Sequence, residues 1–145
     1  MIRKAQWQDL HILGELAAEL WPDHPACEME AELSELMDRG DAALFLASED
    51  ETLTGFAQCQ LRREYVEGTA SSPVGYLEGI YVRENYRGRG IARGLLSAAE
   101  AWAREKGCTE FASDCELDNT QSLKFHLNVG FEEANRIICF TKRLK

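Results

Sequence analysis

The segment Tyr86–Ala92 constrains the fold of this chain most, because it joins a strand to a helix through a glycine-rich turn. It reads Tyr-Arg-Gly-Arg-Gly-Ile-Ala, after the largely apolar run Tyr76–Val82 and at the start of a helical pattern over Gly90–Lys106. Backbone amides at such a turn, together with the positive end of a helix dipole, bind anions. Glycines let the ligand approach the backbone closely. The segment therefore predicts a strand–turn–helix unit with an anion site suited to a pyrophosphate.

Two common phosphate loops do not fit these residues. The pair Gly88 and Gly90 lacks the third glycine of a dinucleotide-binding loop, and no Gly-Lys-Ser/Thr follows as in nucleoside-triphosphate loops. The order Arg-x-x-Gly-x-Ala, found here as Arg87–Ala92, instead resembles the coenzyme A loop of the GNAT superfamily of N-acetyltransferases. By itself the short motif leaves open an ordinary helix-start turn with solvated arginines.

A second block carries the resemblance further. The segment Asn119–Phe131, Asn-Thr-Gln-Ser-Leu-Lys-Phe-His-Leu-Asn-Val-Gly-Phe, is similar to the Asn…Ala…Tyr…Gly-Phe signature of that superfamily, with the same intervals. The chain is therefore identified as a GNAT member. The resemblance implies acetyl-CoA as the acetyl donor, held by Ile80, Tyr81, Val82, Arg87, Gly88, Arg89, Gly90, Ile91, Ala92, Asn119 and Ser122.

The composition limits which class of protein this chain can belong to. The 145 residues, 45% of them hydrophobic, fit one globular N-acetyltransferase domain over residues 1–145. No apolar run approaches the roughly 20 residues that span a bilayer, and no signal peptide is apparent. Five cysteines without a C-x-x-C pair indicate reduced thiols and a cytoplasmic location. The net charge of −9 argues against nucleic acid as a partner. We expect no membrane association and no metal site.

The patterning predicts an α/β fold with the order β-α-α-β-β-β-α-β-α-β-β. Strands are expected near Ile2–Ala5, Ala42–Ser48, Gly55–Arg63, Gly75–Arg83 and Thr109–Asp114, with a last pair over Phe131–Ala134 and Ile137–Lys142. Helices are expected over Gln8–Leu20, Glu28–Arg39, Gly90–Lys106 and Asn119–Asn128. This makes a mixed sheet flanked by helices, which is also the element order of the GNAT superfamily.

Glu78 is the first candidate for catalysis. It stands in the otherwise apolar strand Gly75–Arg83, where an idle surface charge is not expected, and Gly79 beside it suggests a β-bulge. Presenting a lysine-like amine neutral at pH 7 costs roughly 4 to 5 kcal/mol, and a carboxylate acting as a base offsets that cost. The alternative is that Glu78 is a structural partner for an arginine.

Three further residues each have two possible roles. His126 stands where most members of the superfamily have a tyrosine that is proposed to protonate the departing thiolate. Histidine can perform this acid role near neutral pH, although a helical histidine is as often a packing residue. Cys115 is expected to pack in the core rather than to carry an acetyl group. Asn119 fits a helix N-cap as well as a coenzyme contact.

Several segments outside the coenzyme motifs resemble a narrower family, the aminoglycoside 6′-N-acetyltransferases. They are Leu20–Pro25, Glu64–Gly68, Ser71–Val74, Leu77–Ile80 and Ala112–Asp114. In that family the matching residues line the antibiotic site, which here implies Trp21, Tyr65, Glu78 and Asp114, while Asn135 stands where some relatives have a glutamate. Carboxylates and an aromatic wall suit a rigid polycation rich in hydroxyl groups. The resemblance also implies a homodimer.

Three functions remain open from the sequence. The first is acetylation of the 6′-amine of aminoglycoside antibiotics, which would confer resistance. The second is acetylation of another amine, such as a polyamine or a protein N-terminus. The third is a non-catalytic regulatory module that binds acyl-CoA, against which Glu78, Asp114 and Asn119 argue.

Overall fold

A five-stranded sheet forms the centre of the protein, whose computed structural model describes residues 1–145. The strands follow one another in chain order across the sheet. The first four pair antiparallel, and β4 and β5 pair parallel over three residues. Their bounds are β1 Ile2–Lys4, β2 Ala42–Glu49, β3 Thr52–Arg62, β4 Val74–Val82 and β5 Phe111–Ser113.

Four α-helices cover the two faces of this sheet. They are α1 Leu10–Leu20, α2 Ala26–Leu36, α3 Ile91–Glu105 and α4 Thr120–Asn128, and short 3-10 helices span Trp7–Asp9 and Glu84–Tyr86. None of the helices is long and apolar enough to cross a lipid bilayer.

Alternation along β2 and β3 decides which helix covers which face. Leu44, Leu46 and Phe56 pack with α1 and α2, whereas Phe45 and Ala57 pack with α3. Because successive residues of a strand point to opposite faces, two separate apolar clusters result, one on each side of the sheet. The sheet is therefore buried between two helical layers. Its last strand, β5, pairs only with β4, so the outer edge of β5 has no strand partner.

A buried carboxylate fixes the start of the chain. Asp9 accepts two hydrogen bonds from the Arg3 guanidinium, at 2.7 and 2.8 Å, and one from the Gln6 amide at 2.7 Å. The Arg3 guanidinium holds the pKa of Asp9 below its usual range, and the Gln6 amide acts in the same direction. These contacts tie β1 to the helical region that follows it.

The structure confirms the predicted class and the element order from β1 to α4, and it corrects three kinds of detail: the starts of two elements, the burial of Cys115 and the last two strands. Helix α2 begins at Ala26, directly after Pro25, and β3 begins at Thr52. Cys115 is exposed, so the expectation that it packs in the core was wrong.

The third correction concerns the last two predicted strands, Phe131–Ala134 and Ile137–Lys142, which are not formed. Residues 132–145 make no backbone–backbone hydrogen bond. A strand needs a neighbour to satisfy its amides and carbonyls. Within this chain, nothing pairs with either of the two segments.

Candidate active site

The turn before α3 presents a run of unused backbone donors. The amides from Gly88 to Arg93 donate to no protein group, and the N-cap of α3, Gly90, offers no side chain to satisfy them. Gly88 and Gly90 have φ of +78° and +80°, a backbone region that only glycine adopts without strain. A Cβ at either position would meet nothing within 4 Å, so there is room for a ligand. The turn thus fits an anion such as a pyrophosphate.

The arginines around this turn divide into two groups. Arg83 pairs with Glu19 at 3.2 Å and Arg89 pairs with Glu49 at 2.7 Å, so both are neutralised within the protein. Arg87 donates to the Val82 carbonyl at 2.7 Å, and Arg93 reaches the Asn128 carbonyl at 3.4 Å. Since neither of these two arginines has a carboxylate partner, both keep their charge available for an anion.

The strands β4 and β5 separate beside this turn. Their pairing ends at Leu77 and Ser113, so the β5-facing side of Ile80–Val82 has no strand partner. The register between β3 and β4 skips one residue here, because Gln58 pairs with Gly79 and Cys59 pairs with Leu77. Glu78 is therefore the extra residue of a β-bulge, as Gly79 suggested. A bulge bends the strand and re-aims its side chain.

Glu78 belongs to a chain of four polar side chains. Arg62 on β3 donates to both carboxylate oxygens of Glu78, at 2.8 Å for Oε2, and its guanidinium lies 3.4 Å from the centre of the Tyr76 ring. The Tyr76 hydroxyl donates to Asp114. Burial and the hydrogen bond to Asp114 raise the pKa of Tyr76, so the phenol stays protonated at neutral pH. The arrangement joins the two predicted acids through one cation and one phenol.

Trp21 lies against the same bulge. A Cβ added to Gly79 would stand 2.7 Å from two carbons of the indole ring. The ring also packs edge-on against Phe56, with centroids 6.1 Å apart and an interplanar angle of 71°. Pro22 follows Trp21, so α1 ends there and the indole lies against Gly79, the residue after Glu78. Trp21, which the sequence predicts as the aromatic wall of the substrate site, therefore also packs against the core.

His126 projects from α4 to the end of β5. Its Nδ1 lies 2.7 Å from the Ser122 carbonyl oxygen, and its Nε2 lies 2.8 Å from the Ser113 hydroxyl. Because a carbonyl only accepts, Nδ1 carries the proton, and in the neutral ring Nε2 accepts from Ser113. Ser113 also lies 3.4 Å from the Leu77 carbonyl oxygen, where β4 and β5 part. The histidine thus reaches the gap between the strands through a serine.

Asn119 is the N-cap of α4, as predicted. Its Oδ1 accepts from the Ser122 amide at 3.1 Å. The side-chain NH₂ group of Asn119 makes no hydrogen bond with the protein. The cap therefore uses only the oxygen, and both donors remain for a ligand.

Two predicted substrate residues lie apart from Glu78. Tyr65 is 76% exposed on the loop between β3 and β4. Asn135 donates to Glu67 on the same loop at 2.8 Å. The structure brings Glu78, Asp114, Trp21 and His126 to the end of the β4–β5 pair, and neither Tyr65 nor Asn135 makes a hydrogen bond with these residues.

Sequence reasoning missed three residues of the site: Arg62, Tyr76 and Ser113. Arg62 ends β3, Ser113 ends β5 and Tyr76 lies within β4, and their side chains meet predicted site residues only through contacts between strands and with α4. The sequence did point toward Ser113, because it directly precedes the predicted substrate residue Asp114. No comparable signal pointed to Arg62, because register depends on the bulge at Glu78.

Comparisons with known proteins agree with this geometry. The acetyltransferase (GNAT) family model matches residues 13–131. A protein of Stenotrophomonas maltophilia named aminoglycoside N(6′)-acetyltransferase type 1 is 41% identical, over 99% of this chain and 94% of its own length. A protein of the same name from Salmonella typhimurium (strain LT2) is 43% identical over 88% of each chain.

Solved structures give the same result. AAC(6′)-Iy in complex with the bisubstrate analog CoA-S-monomethyl-acetylneamine has a TM-score of 0.94 and 40% identity, covering 99% of this chain and 98% of that one. The apo structure of AAC(6′)-IG from Acinetobacter haemolyticus has a TM-score of 0.94 and 37% identity, covering 100% of this chain and 99% of that one.

Proposed function

This chain belongs to the acetyltransferase (GNAT) family, and we propose that it is an acetyl-CoA-dependent aminoglycoside 6′-N-acetyltransferase. Relatives of that name match it at 41% and 43% identity over most of their length. The observation that carries the proposal is the free run of amides at Gly88–Arg93, located at the end of the strand that carries Glu78. An anion site and a carboxylate site thus adjoin one gap.

Acetyl-CoA supplies the acetyl group as a thioester, and the residues around the gap are suited to hold it. The amides of Gly88–Arg93, with Arg87 and Arg93, fit the pyrophosphate. The unpaired side of Ile80–Val82 offers backbone groups to the pantetheine arm. The free NH₂ group of Asn119, beside Ser122, adds donors from α4.

Glu78 is proposed as the base that removes a proton from the acceptor amine. The amine nitrogen then forms a bond to the thioester carbonyl carbon, the carbon–sulfur bond breaks, coenzyme A leaves as a thiolate, and the new amide nitrogen loses its extra proton to solvent. Because Arg62 occupies the carboxylate in this structure, the substrate ammonium must share Glu78 with Arg62 or displace it. Glu78 is thus both a catalytic candidate and a partner for an arginine, the two roles that the sequence left open.

Ser113 and His126 are proposed to return a proton to the thiolate. In the protonated form of His126, Nε2 donates to Ser113, and the serine hydroxyl can pass its own proton onward into the gap. This relay assigns a role to the histidine that stands where tyrosine is usual. It also explains why the histidine need not face the gap itself.

The antibiotic is proposed to bind across Glu78, Asp114 and Trp21, with Tyr65 and Asn135 on the outer loop. Charge-assisted hydrogen bonds contribute about 1.5 to 3 kcal/mol each, so two or three suffice for micromolar affinity after association costs. Kanamycin and tobramycin carry the required 6′-amine.

The test is release of coenzyme A with kanamycin, spermidine and a peptide as acceptors. We expect turnover with kanamycin and none with an analogue that has a 6′-hydroxyl, because no nucleophilic amine is presented there. If the enzyme acetylates kanamycin, its expression in a susceptible bacterium should raise the resistance of that bacterium to kanamycin. If only spermidine or only the peptide is acetylated, that amine is the substrate instead of the antibiotic. If the protein binds acetyl-CoA but acetylates none of the three acceptors, it is a regulatory module.

The proposal extends to the setting of the enzyme. We place it in the cytoplasm, supported by five cysteines that form no disulfide. We treat residues 1–145 as one N-acetyltransferase domain. We also infer a homodimer, because the exposed Tyr65 loop could reach a neighbouring active site.

A further inference from the structure

The phenol of Tyr76 is a buried polar group whose single hydrogen-bond partner is an acid of the site. Tyr76 lies within β4 and is only 7% exposed, yet its hydroxyl donates to the Asp114 carboxylate and makes no other hydrogen bond. A buried hydroxyl that loses its partner destabilises the fold, because it cannot hydrogen-bond to water instead. The phenol therefore favours those positions of Asp114 in which this hydrogen bond is kept.

Asp114 has little else to hold its side chain. It is exposed, and it follows Ser113, the last residue of β5, so it lies outside the strand. The Tyr76 hydroxyl is the only protein group that donates to its carboxylate. An exposed aspartate at a strand end otherwise samples several rotamers. The hydrogen bond from Tyr76 thus decides where this negative charge lies.

The ring of Tyr76 is itself fixed on several sides. It belongs to a small apolar cluster with the buried residues Val66 and Val74. On one face of the ring, the guanidinium of Arg62 lies 3.4 Å from the ring centre, and the same guanidinium binds Glu78. Because the ring cannot shift without disturbing these contacts, it gives a defined position to the group that its hydroxyl binds.

Asp114 stays open to a substrate while Tyr76 holds it. A carboxylate can accept about four hydrogen bonds. The Tyr76 hydroxyl binds Oδ2, which leaves Oδ1 and one lone pair of Oδ2. Burial and the hydrogen bond to Asp114 raise the pKa of Tyr76, so the phenol remains a donor at neutral pH. Asp114 can therefore accept from a substrate ammonium and keep its hydrogen bond with Tyr76.

We propose that Tyr76 is a specificity-determining positioning residue, which holds Asp114 at a set distance from Glu78 so that the site favours a rigid acceptor with two matching ammonium groups. The inference rests on the proposed function, in which Glu78 takes the reacting amine and Asp114 takes a second one. A preorganised acid removes the cost of ordering that side chain when the substrate binds. A flexible polyamine gains less, because it must order its own chain to meet two fixed acids, and an acceptor with one amine gains nothing.

Tyr76→Phe is the test variant, because it removes the hydroxyl but keeps the ring and its contact with Arg62. With kanamycin we expect the KM to rise about fivefold, the size of one hydrogen bond, and kcat to stay unchanged. With 6-amino-6-deoxyglucose, which offers an amine for acetylation but no second cation, kcat/KM should equal that of the wild type. Ser34→Ala is the matched control: it removes a hydroxyl bound to the Ala31 carbonyl on α2, and it should change neither acceptor's kinetics.

The same substitution in an Asp114→Ala background shows whether the hydroxyl acts through the carboxylate. There Tyr76→Phe should leave the KM for kanamycin unchanged, because the group that the hydroxyl positions is gone. An equal rise in both backgrounds, or an equal loss of kcat/KM with both acceptors, would overturn the proposal. So would a fall in the kanamycin KM of the single variant, since the hydroxyl would then compete with the substrate for Asp114.

Three-bond NMR couplings across the Cα–Cβ bond of Asp114 test the positioning without turnover. We expect a single rotamer in the wild type and averaged couplings in Tyr76→Phe. Averaged couplings in the wild type would overturn the positioning and the selectivity built on it. If Asp114 keeps one rotamer but the wild type does not acetylate kanamycin, the proposed function fails and the positioning stands. If kanamycin is acetylated but its KM does not respond to Tyr76→Phe, the selectivity fails and the proposed function stands.

Discussion

The carboxylate of Glu78 is bound by the guanidinium of Arg62 across strands β4 and β3, at the bulge where the register between those strands skips a residue. The Glu78 side chain is only 15% exposed, whereas that of Arg62 is 45% exposed. The acid is therefore fixed by the strand, while the arginine approaches from the solvent side. A cationic substrate that reaches Glu78 therefore finds its carboxylate already paired with the Arg62 guanidinium.

Glu78→Gln should lower kcat for kanamycin by about 100-fold or more, since it keeps the shape of the side chain but removes its basicity. The KM for acetyl-CoA should change little, because the proposed coenzyme contacts are on other residues. Steady-state kinetics at neutral pH measure both constants. Glu105→Gln, at the end of α3, is the control for loss of a surface carboxylate. Full kcat in the Glu78→Gln variant would leave Glu78 only a positioning role.

Arg62→Gln should lower the KM for kanamycin by about fivefold, because it removes a half-exposed cation that competes for Glu78. Arg39→Gln removes a similar exposed arginine, paired with Asp41 rather than with the site, and should leave the KM unchanged. A rise in KM for Arg62→Gln would mean that the arginine organises the substrate site rather than competing in it.

Gly90→Glu should abolish measurable affinity for acetyl-CoA, and Gly90→Gln should reduce it much less. Both variants place a side chain at a φ of +80°, so both bear the same backbone strain of about 1 kcal/mol. They differ only in a negative charge beside the free amides of Gly88–Arg93. Calorimetric titration with coenzyme A measures the difference. Equal affinities in the two variants would show that the pyrophosphate binds elsewhere.

Asp114→Ala should raise the KM for kanamycin by about tenfold, because it removes one charge-assisted hydrogen bond worth about 1.5 kcal/mol. It should change kcat less than Glu78→Gln does. The Tyr76 hydroxyl loses its acceptor in this variant, so the double variant Tyr76→Phe with Asp114→Ala is the control that removes both partners. If the single variant lowers kcat as strongly as Glu78→Gln, Asp114 takes part in the chemistry.

Asp9→Asn should lower the free energy of unfolding by about 1 to 3 kcal/mol at neutral pH. The Arg3 guanidinium depresses the pKa of Asp9 in the folded state, so its stabilisation is present above the unfolded pKa of about 3.9 and is lost as the pH falls through the folded pKa. Urea unfolding at neutral pH and near pH 3 checks this, since the two proteins should converge in acid.

Asp41→Asn is the matched control for that pH dependence. The Arg39 guanidinium also lowers the pKa of Asp41, but this pair is exposed, so its loss should cost at most about 1 kcal/mol. A gap between Asp9→Asn and the wild type that does not narrow in acid would contradict the assignment of the stability to the ionised carboxylate.

Local sequence patterns predicted the layers of the fold and the glycine turn before α3. Apolar spacing at period 3.6 defines α1 and α3, and alternation assigns β2 and β3 to two faces, because side-chain direction follows from local geometry. Gly88 and Gly90 signal the turn because positive φ is a property of single residues. Glu78 stood out as an acid in an apolar strand for the same local reason.

Which side chains meet across the strands depends on the folded chain as a whole. The contact of Glu78 with Arg62 depends on a one-residue register skip between β3 and β4, and that of Tyr76 with Asp114 depends on the parallel pairing of β4 with β5; local patterns encode neither. Whether Ile137–Lys142 forms a strand also depends on the folded chain. Its residues favour a strand, but a strand forms only where a neighbour supplies the other half of each hydrogen bond, and this chain supplies none.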